Sequence, residues 1–249
     1  MVPTFSMAGS PADRVMFIHH STGQNIIEEG ALRGFITDLN AQNGTNIEFW
    51  DHSQNVYGIT NGDGVRLYRN YDIPDDNTDP DGLNKLWTTE NSARDSLMAN
   101  FDTIAFKPCY YPTSYIVSEA GLLHYKQMYL EMMEFFDQHP EKTFIIISPP
   151  ALHNYRNSLK IAARARHFSE WLGCDEFLSG HPNVKYFDYF DLIAEPDEDY
   201  DLFNMFAFEY ERDHDGSDWH PNEAASILTA PLLADFIYNV TAGSTTSAV

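Results

Sequence analysis

Three residues far apart in the chain are of the types a nucleophilic site needs: Ser21, Asp218 and His220. A serine becomes a nucleophile when a base stands within hydrogen-bond reach, and the base needs a carboxylate to fix its tautomer. Asp218 and His220 share one short stretch, Ser217-Asp218-Trp219-His220-Pro221-Asn222, so a single loop supplies both. Asp215 is the alternative acid, reached across the Gly216-Ser217 turn. Ser21 lies in His19-His20-Ser21-Thr22-Gly23. The chemistry this set implies is acyl transfer through a serine. The competing role for Ser21 is a helix cap, where serine is also favoured.

The elements around these residues give them a common place. Val15 to Ile18 is a short apolar run of the buried-strand kind. From Asn25 to Asn40, Ile26, Ile27, Leu32, Phe35, Ile36 and Leu39 recur at helical spacing. Strand, turn and helix put Ser21 at the carboxyl end of a strand and beside a helix amino terminus. In open α/β sheets ligands bind along that edge, and the helix end offers free N–H groups to an anion.

Further strands are predicted at Ile47–Trp50, Phe101–Phe106, Lys142–Ser148 and Val184–Phe187. Helices are predicted at Leu83–Met98, Leu122–Phe136, Ser158–Leu172 and Glu223–Val240. Strands alternating with helices predict a mostly parallel, doubly wound α/β sheet, flavodoxin-like, in one three-layer domain with a core over about 14–240 and flexible tails. The third strand exits at Lys107 to Tyr111, bringing Lys107 and Cys109 to the same edge as Ser21. The long polar stretch from Asn55 to Asp81 carries Tyr57, Tyr68 and Tyr71 with Arg66 and Arg69. That mix suits the wall of a polar-substrate groove, or a solvated excursion held by a few aromatics.

Composition narrows the partners. Thirty-seven acidic residues against fifteen Lys plus Arg give a formal charge of −22. Nucleic acid, whose binding depends on neutralising phosphates, and anionic membrane surfaces are both disfavoured. With 43% apolar residues the chain is globular in composition. Cys109 and Cys174 form no CxxC pattern, which argues against a disulfide framework or a thiolate metal site. His19, His20 and His52 with Asp51 lack any known ligand spacing, so neither metal nor cofactor is expected. Residues 1–12 lack the basic and apolar regions of a signal peptide, and no run reads as a membrane span. The expectation is a soluble chain; compartment and oligomeric state stay open.

No G-x-S-x-G elbow occurs, which argues against an α/β-hydrolase. The serine after the first strand, the α/β alternation and the Asp and His before the last helix resemble the SGNH (GDSL-type) hydrolases, from about Val15 to Val240. The resemblance implies an esterase-type serine hydrolase without metal, with Ser21 as nucleophile, His220 as base and Asp218 orienting it. It also implies an oxyanion hole begun by the Ser21 N–H. The departures are specific. His19-His20-Ser21 replaces Gly-Asp-Ser, and Asp218 stands one residue nearer the histidine than in the usual Asp-x-x-His. No asparagine follows the third strand, where Lys107-Pro108-Cys109 stands instead. Gly58 is the candidate second donor, Lys107 or a backbone N–H the candidate third, and His20 and Cys109 candidate lining groups. The expected substrate is a carbohydrate or other small polar ester. The alternatives are a silent binding protein on the same fold, or a transacylase or lyase at the same edge.

Overall fold

The computed structural model describes residues 13–77, 80–110 and 116–245. The opening segment 1–12, Tyr111 at the end of the strand exit, and the tail beyond 245 lie outside them. Six strands form one sheet in the order β3-β2-β1-β4-β5-β6. They are β1 (Asp13–Ile18), β2 (Ile47–His52), β3 (Ile59–Thr60), β4 (Thr103–Phe106), β5 (Thr143–Ile147) and β6 (Val184–Phe187). All pairings are parallel except β2 with β3. With the antiparallel edge β3 set aside, the order has the flavodoxin pattern, and its reversal falls between β1 and β4.

Period-two burial in β1 makes the layers. Met16 and Ile18 face one core with Leu83 and Trp87 of α3 (Pro80–Thr88), Leu97 of α4 (Ser92–Asn100), and Tyr129, Met132 and Phe136 further along. Val15 and Phe17 face the other with Ile26 of α1 (Ser21–Glu28), Leu32 and Ile36 of α2 (Leu32–Asn43), and Leu233 and Ile237 near the chain's end. On the first side the Trp87 ring packs edge-on against Phe136 and Phe144, each at 5.4 Å between centroids. The methionines of the helix predicted at Leu122–Phe136 are core, as Met128, Met132 and Met133 are buried, while Leu123 and Leu130 are exposed.

Several boundaries differ from the sequence expectations. The helix predicted at Asn25–Asn40 is two helices, α1 and α2, broken at Ala31, whose φ of 57° is left-handed. The helix predicted at Leu83–Met98 is likewise α3 and α4, the second capped by the Asn91 side chain. Four helices follow with α5 (Glu119–Asp137), α6 (Leu159–Gly173), α7 (Asp175–Leu178) and α8 (Tyr189–Ile193). The last, α9 (Glu223–Thr245), runs past Val240, where a frayed tail was expected. By length and hydropathy α9 passes for a membrane span, contrary to the expectation that no run would. Its Ala225, Ala230, Leu233, Ala234 and Ile237 are buried against the sheet side of the fold, which makes it a core helix here.

Candidate active site

Ser21 is the first residue of α1, directly beyond the carboxyl end of β1. The helix cap is His20, in extended conformation, and no side chain caps the helix. The Ser21 hydroxyl is therefore not a cap. It meets His220 Nε2 at 2.9 Å. His220 Nδ1 meets Asp218 Oδ1 at 2.6 Å, and the same oxygen accepts the His220 amide at 3.0 Å. The curl needed to fold a carboxylate back onto a ring two residues on is thus closed by a backbone bond. Burial pushes the Asp218 carboxyl up, but its bonds to the His220 amide and ring and the Arg212 charge outweigh this and hold it below its ordinary value. Asp215 accepts the Ser217 amide instead and belongs to its own turn. Trp219 braces the loop by donating its indole N–H to the Gly216 carbonyl at 2.7 Å.

The turn that presents Ser21 is set from both sides. The His20 carbonyl accepts the Gly23 and Gln24 amides at 2.8 and 3.2 Å and the His19 ring Nδ1 at 2.9 Å. Gly23 is required by packing: a Cβ there would lie 2.4 Å from the His19 Cβ. His19 is fully buried, and its Nε2 stands 3.3 Å from Asp51, which also pairs with Arg33. Among the described residues no backbone carbonyl accepts the Ser21 amide.

The strand exit after β4 lies beside this turn. Cys109 Sγ is 3.6 Å from Ser21 Oγ, and the residue is buried. Lys107 is fully buried, with Nζ donating to Thr22 Oγ1 at 2.6 Å and to the Pro108 carbonyl at 2.8 Å. The Tyr189 ring lies 5.9 Å from the ammonium. Among the described residues Lys107 has no carboxylate partner, and burial lowers its pKa to about 8. Lys107, expected with a backbone N–H as the alternative third donor, has its ammonium pointing into the Ser21 turn, with two of its three N–H groups already bonded there.

Gly58 is corrected. Its amide donates to the Gln54 carbonyl at 2.8 Å, because Gln54 to Gly58 is a tight turn that Gly58 ends with a φ of 70°. A Cβ at this glycine would meet the Arg69 carbonyl at 2.2 Å, so the residue serves close backbone approach, although it lines the same cleft. His20 is buried with Nδ1 3.0 Å from the Gln54 side-chain amide and Nε2 3.8 Å from Asp76. Burial, opposed by Asp76 and helped by Lys107, lowers its pKa to about 4, so its ring is neutral near pH 7 and structural in character. Gln54 had no role in the sequence expectations. Its position two residues after β2, on the same edge as Ser21, was the only signal for it.

Ser21 and His220 open into a cleft of about 840 Å³, walled by α1 and by the 53–66 loop and lined also by Arg33, Arg66 and Arg212. Opposite, the Tyr110 ring stands edge-on to Trp219 and His220 at 6.3 and 5.9 Å. Among the described residues no group of three His, Cys, Asp or Glu side chains is placed to hold a metal ion. His19, His20 and His52 are engaged separately, with His52 Nε2 accepting the Tyr71 amide at 3.2 Å.

The sheet is mostly parallel between two helical layers, and the hydrogen-bond chain from Ser21 through His220 to Asp218 lies at its reversal point. Among solved structures the chain is similar to a lipase from a goat rumen metagenome, at 10% identity and TM-score 0.50, covering 90% of this chain and 97% of that chain. It is also similar to a GDSL-like lipase from Bacteroides thetaiotaomicron, at 10% identity and TM-score 0.48, over 91% and 88% of the two chains. A third is the C-terminal catalytic domain of peptidoglycan O-acetyltransferase A from Streptococcus pneumoniae, at 11% identity and TM-score 0.46, over 95% and 97%. The likeness to the goat rumen lipase is one of fold alone. No protein-family model matches the chain, and no curated protein matches its sequence.

Proposed function

We propose that the protein is a divergent SGNH-type serine hydrolase that cleaves an ester of a small polar substrate, such as an acylated carbohydrate. The observation that carries this is the continuous hydrogen-bond chain from Ser21 Oγ through His220 to Asp218. Ser21 attacks the acyl carbon while His220 Nε2 takes its proton. Asp218 holds the imidazole in the Nδ1–H tautomer and stabilises the imidazolium that forms. His220 then returns the proton to the leaving alkoxide, and water, deprotonated by the same ring, releases the acyl group from Ser21. Asp218 is favoured over Asp215 because its oxygen is the one on the ring nitrogen.

The oxyanion is met by the Ser21 N–H at the start of α1 and by the N–H of the Gln54 side chain not used on His20. Each donor of this kind contributes roughly 3–4 kcal/mol to the transition state. Lys107 stands behind the turn as a buried positive charge without a countercharge, which suits negative charge developing at Ser21. The polar lining of the cleft supports a polar substrate over a long acyl chain.

The test is labelling with a fluorophosphonate followed by peptide mass spectrometry, beside turnover of p-nitrophenyl acetate. Ser21 is expected to carry the label. Ser21→Ala is expected to lose both label and turnover while its melting temperature stays within a few degrees, because the hydroxyl caps nothing. A folded protein with unlabelled Ser21, or a variant that keeps its turnover, would overturn the reading.

A further inference from the structure

The cleft beside Ser21 is lined by three arginines, and they are not in the same condition. Arg33 is paired with Asp51 and donates to the Phe49 and Asn61 carbonyls at 2.7 and 3.1 Å. Arg212 donates to both Glu29 carboxylate oxygens at 2.7 Å. Arg66 pairs with no carboxylate among the described residues, in a chain whose formal charge is −22. Its side chain is nonetheless held. Nε donates to the Tyr57 carbonyl and Nη2 to the Val56 carbonyl, both at 2.7 Å. The guanidinium lies over the Tyr57 ring at 5.3 Å and the Tyr68 ring at 5.4 Å.

An arginine fixed in this way still has three of its five N–H donors uncommitted, and they lie in the guanidinium plane. Its ordering cost is met by the fold, so a planar anion arriving there gains a charge-assisted bond without freezing a loose side chain. A second observation is independent of the charge. Tyr68 is 88% exposed and has a φ of 53°, in the left-handed region that a bulky residue rarely adopts. Burial does not explain an aromatic held there; strained residues of this sort cluster at ligand clamps. Tyr57, also exposed, lines the cleft itself.

We propose that Arg66, clamped between Tyr57 and Tyr68, binds a carboxylate borne by the substrate, so that the ester cleaved at Ser21 belongs to an acidic polar molecule such as an acylated sugar acid. The substrate half of this rests on the hydrolase reading; the binding half does not. A monoanion fits better than a phosphate dianion. The cleft also carries Glu28, Glu29, Asp51 and Asp218 against its three arginines, so its formal charge is already −1. Glu28, bonded to the Gln24 amide at 2.7 Å, pairs with no cation among the described residues.

The experiment uses the full chain and two readouts. In the first, glucuronate and glucose are titrated against the wild type, Arg66→Gln and Arg66→Lys by NMR. Glucuronate is expected to bind the wild type and to weaken about tenfold or more in Arg66→Gln, with partial recovery in Arg66→Lys and no change for glucose. In the second, acetylated glucuronate and acetylated glucose are compared as substrates. KM for the acidic ester is expected to rise about tenfold in Arg66→Gln, while kcat/KM on p-nitrophenyl acetate stays within twofold. Equal glucuronate binding by the wild type and Arg66→Gln overturns the proposal. So does an equal loss on the acidic and neutral esters, which makes Arg66 a brace of its loop. If no ester is turned over and Ser21 takes no label, yet glucuronate binding still depends on Arg66, the hydrolase reading fails and the carboxylate site stands.

Discussion

Replacing Lys107 by methionine removes a charge from the interior at nearly constant volume, and the outcome depends on pH in a way that can be worked out. In the folded protein burial lowers this amine to about 8 from an ordinary 10.5. The gap is worth about 3 kcal/mol between the two protonation states. Below pH 8 the amine is charged in both folded and unfolded chains, and the folded state carries the full cost of burying it. Between about 8 and 10.5 the folded state releases the proton first, so the unfolded chain binds more protons and stability rises with pH. Relative to Lys107→Met, the wild type should therefore gain about 3 kcal/mol on going from pH 7 to pH 10.5. Groups facing the amine also titrate or sit near it: His20 is neutral throughout this range, and burial raises Tyr189. Tyr189 is present in both proteins, and Cys109, whose charge acts on the amine, is replaced by serine in both, so that the difference reads Lys107 alone. Urea midpoints measured for the two proteins at half-unit pH steps give the curve. The lost bonds to Thr22 and Pro108 shift the whole curve and leave its slope alone. A difference that stays flat from pH 7 to 10.5 refutes the argument and means that the ammonium is solvated or paired.

Asp218→Asn leaves the geometry but presents His220 with an N–H where it needs an acceptor. Ester kcat should fall by orders of magnitude, about 10⁴ for triads of this kind, with KM little changed, while Asp215→Asn stays near wild type. The reverse ranking in a p-nitrophenyl acetate assay would move the acid across the glycine turn. Gly23→Ala places a methyl 2.4 Å from the His19 Cβ and should cost about 1–3 kcal/mol in urea unfolding, with kcat falling as the Ser21 turn shifts. Unchanged stability would mean that the turn gives way freely.

The parts of the fold legible in the sequence are those whose signal is local and periodic. The buried strand Thr143–Ile147 and the amphipathic helix Glu119–Asp137 each hold their own pattern, and both appear within a few residues of where the pattern puts them. The break at Ala31 carried one local signal, Gly30 just past the end of α1, and its second reason lay across the fold, where a Cβ at Gly30 would meet the Ser226 carbonyl of α9 at 2.4 Å. Strand β3 is two residues long and antiparallel, too short for any alternation to register. That Ser21, Asp218 and His220 would come together was legible from residue type and order. The states of Gly58 and Lys107 were not, since they depend on which partner across the fold reaches each first. Gly58 finds Gln54 a turn away, and Lys107 finds Thr22 across the β1–β4 reversal.

The short Asp-x-His spacing brings Asp218 onto the His220 ring because the loop carrying both is closed on itself and tied to α1. Glu211 and Pro221 form an antiparallel bridge, and the Asn222 amide donates to the Tyr210 carbonyl at 2.9 Å, so the residues between are a sealed excursion. Arg212, at its base, donates to the Pro221 carbonyl and to both oxygens of Glu29, the residue that ends α1. Its Nε also stands 3.7 Å from Asp218 Oδ2, the oxygen that His220 does not use. The same guanidinium therefore bonds the loop's closing carbonyl and the helix that begins with Ser21, and places its charge beside the free Asp218 oxygen. A buried Glu211 beneath it, bonded to His214 at 2.9 Å, fixes the loop's other wall. A longer spacing lets a histidine and its acid be placed by separate turns; at this spacing both ride on one turn, and the bond from Arg212 to Glu29 sets that turn's distance to the serine.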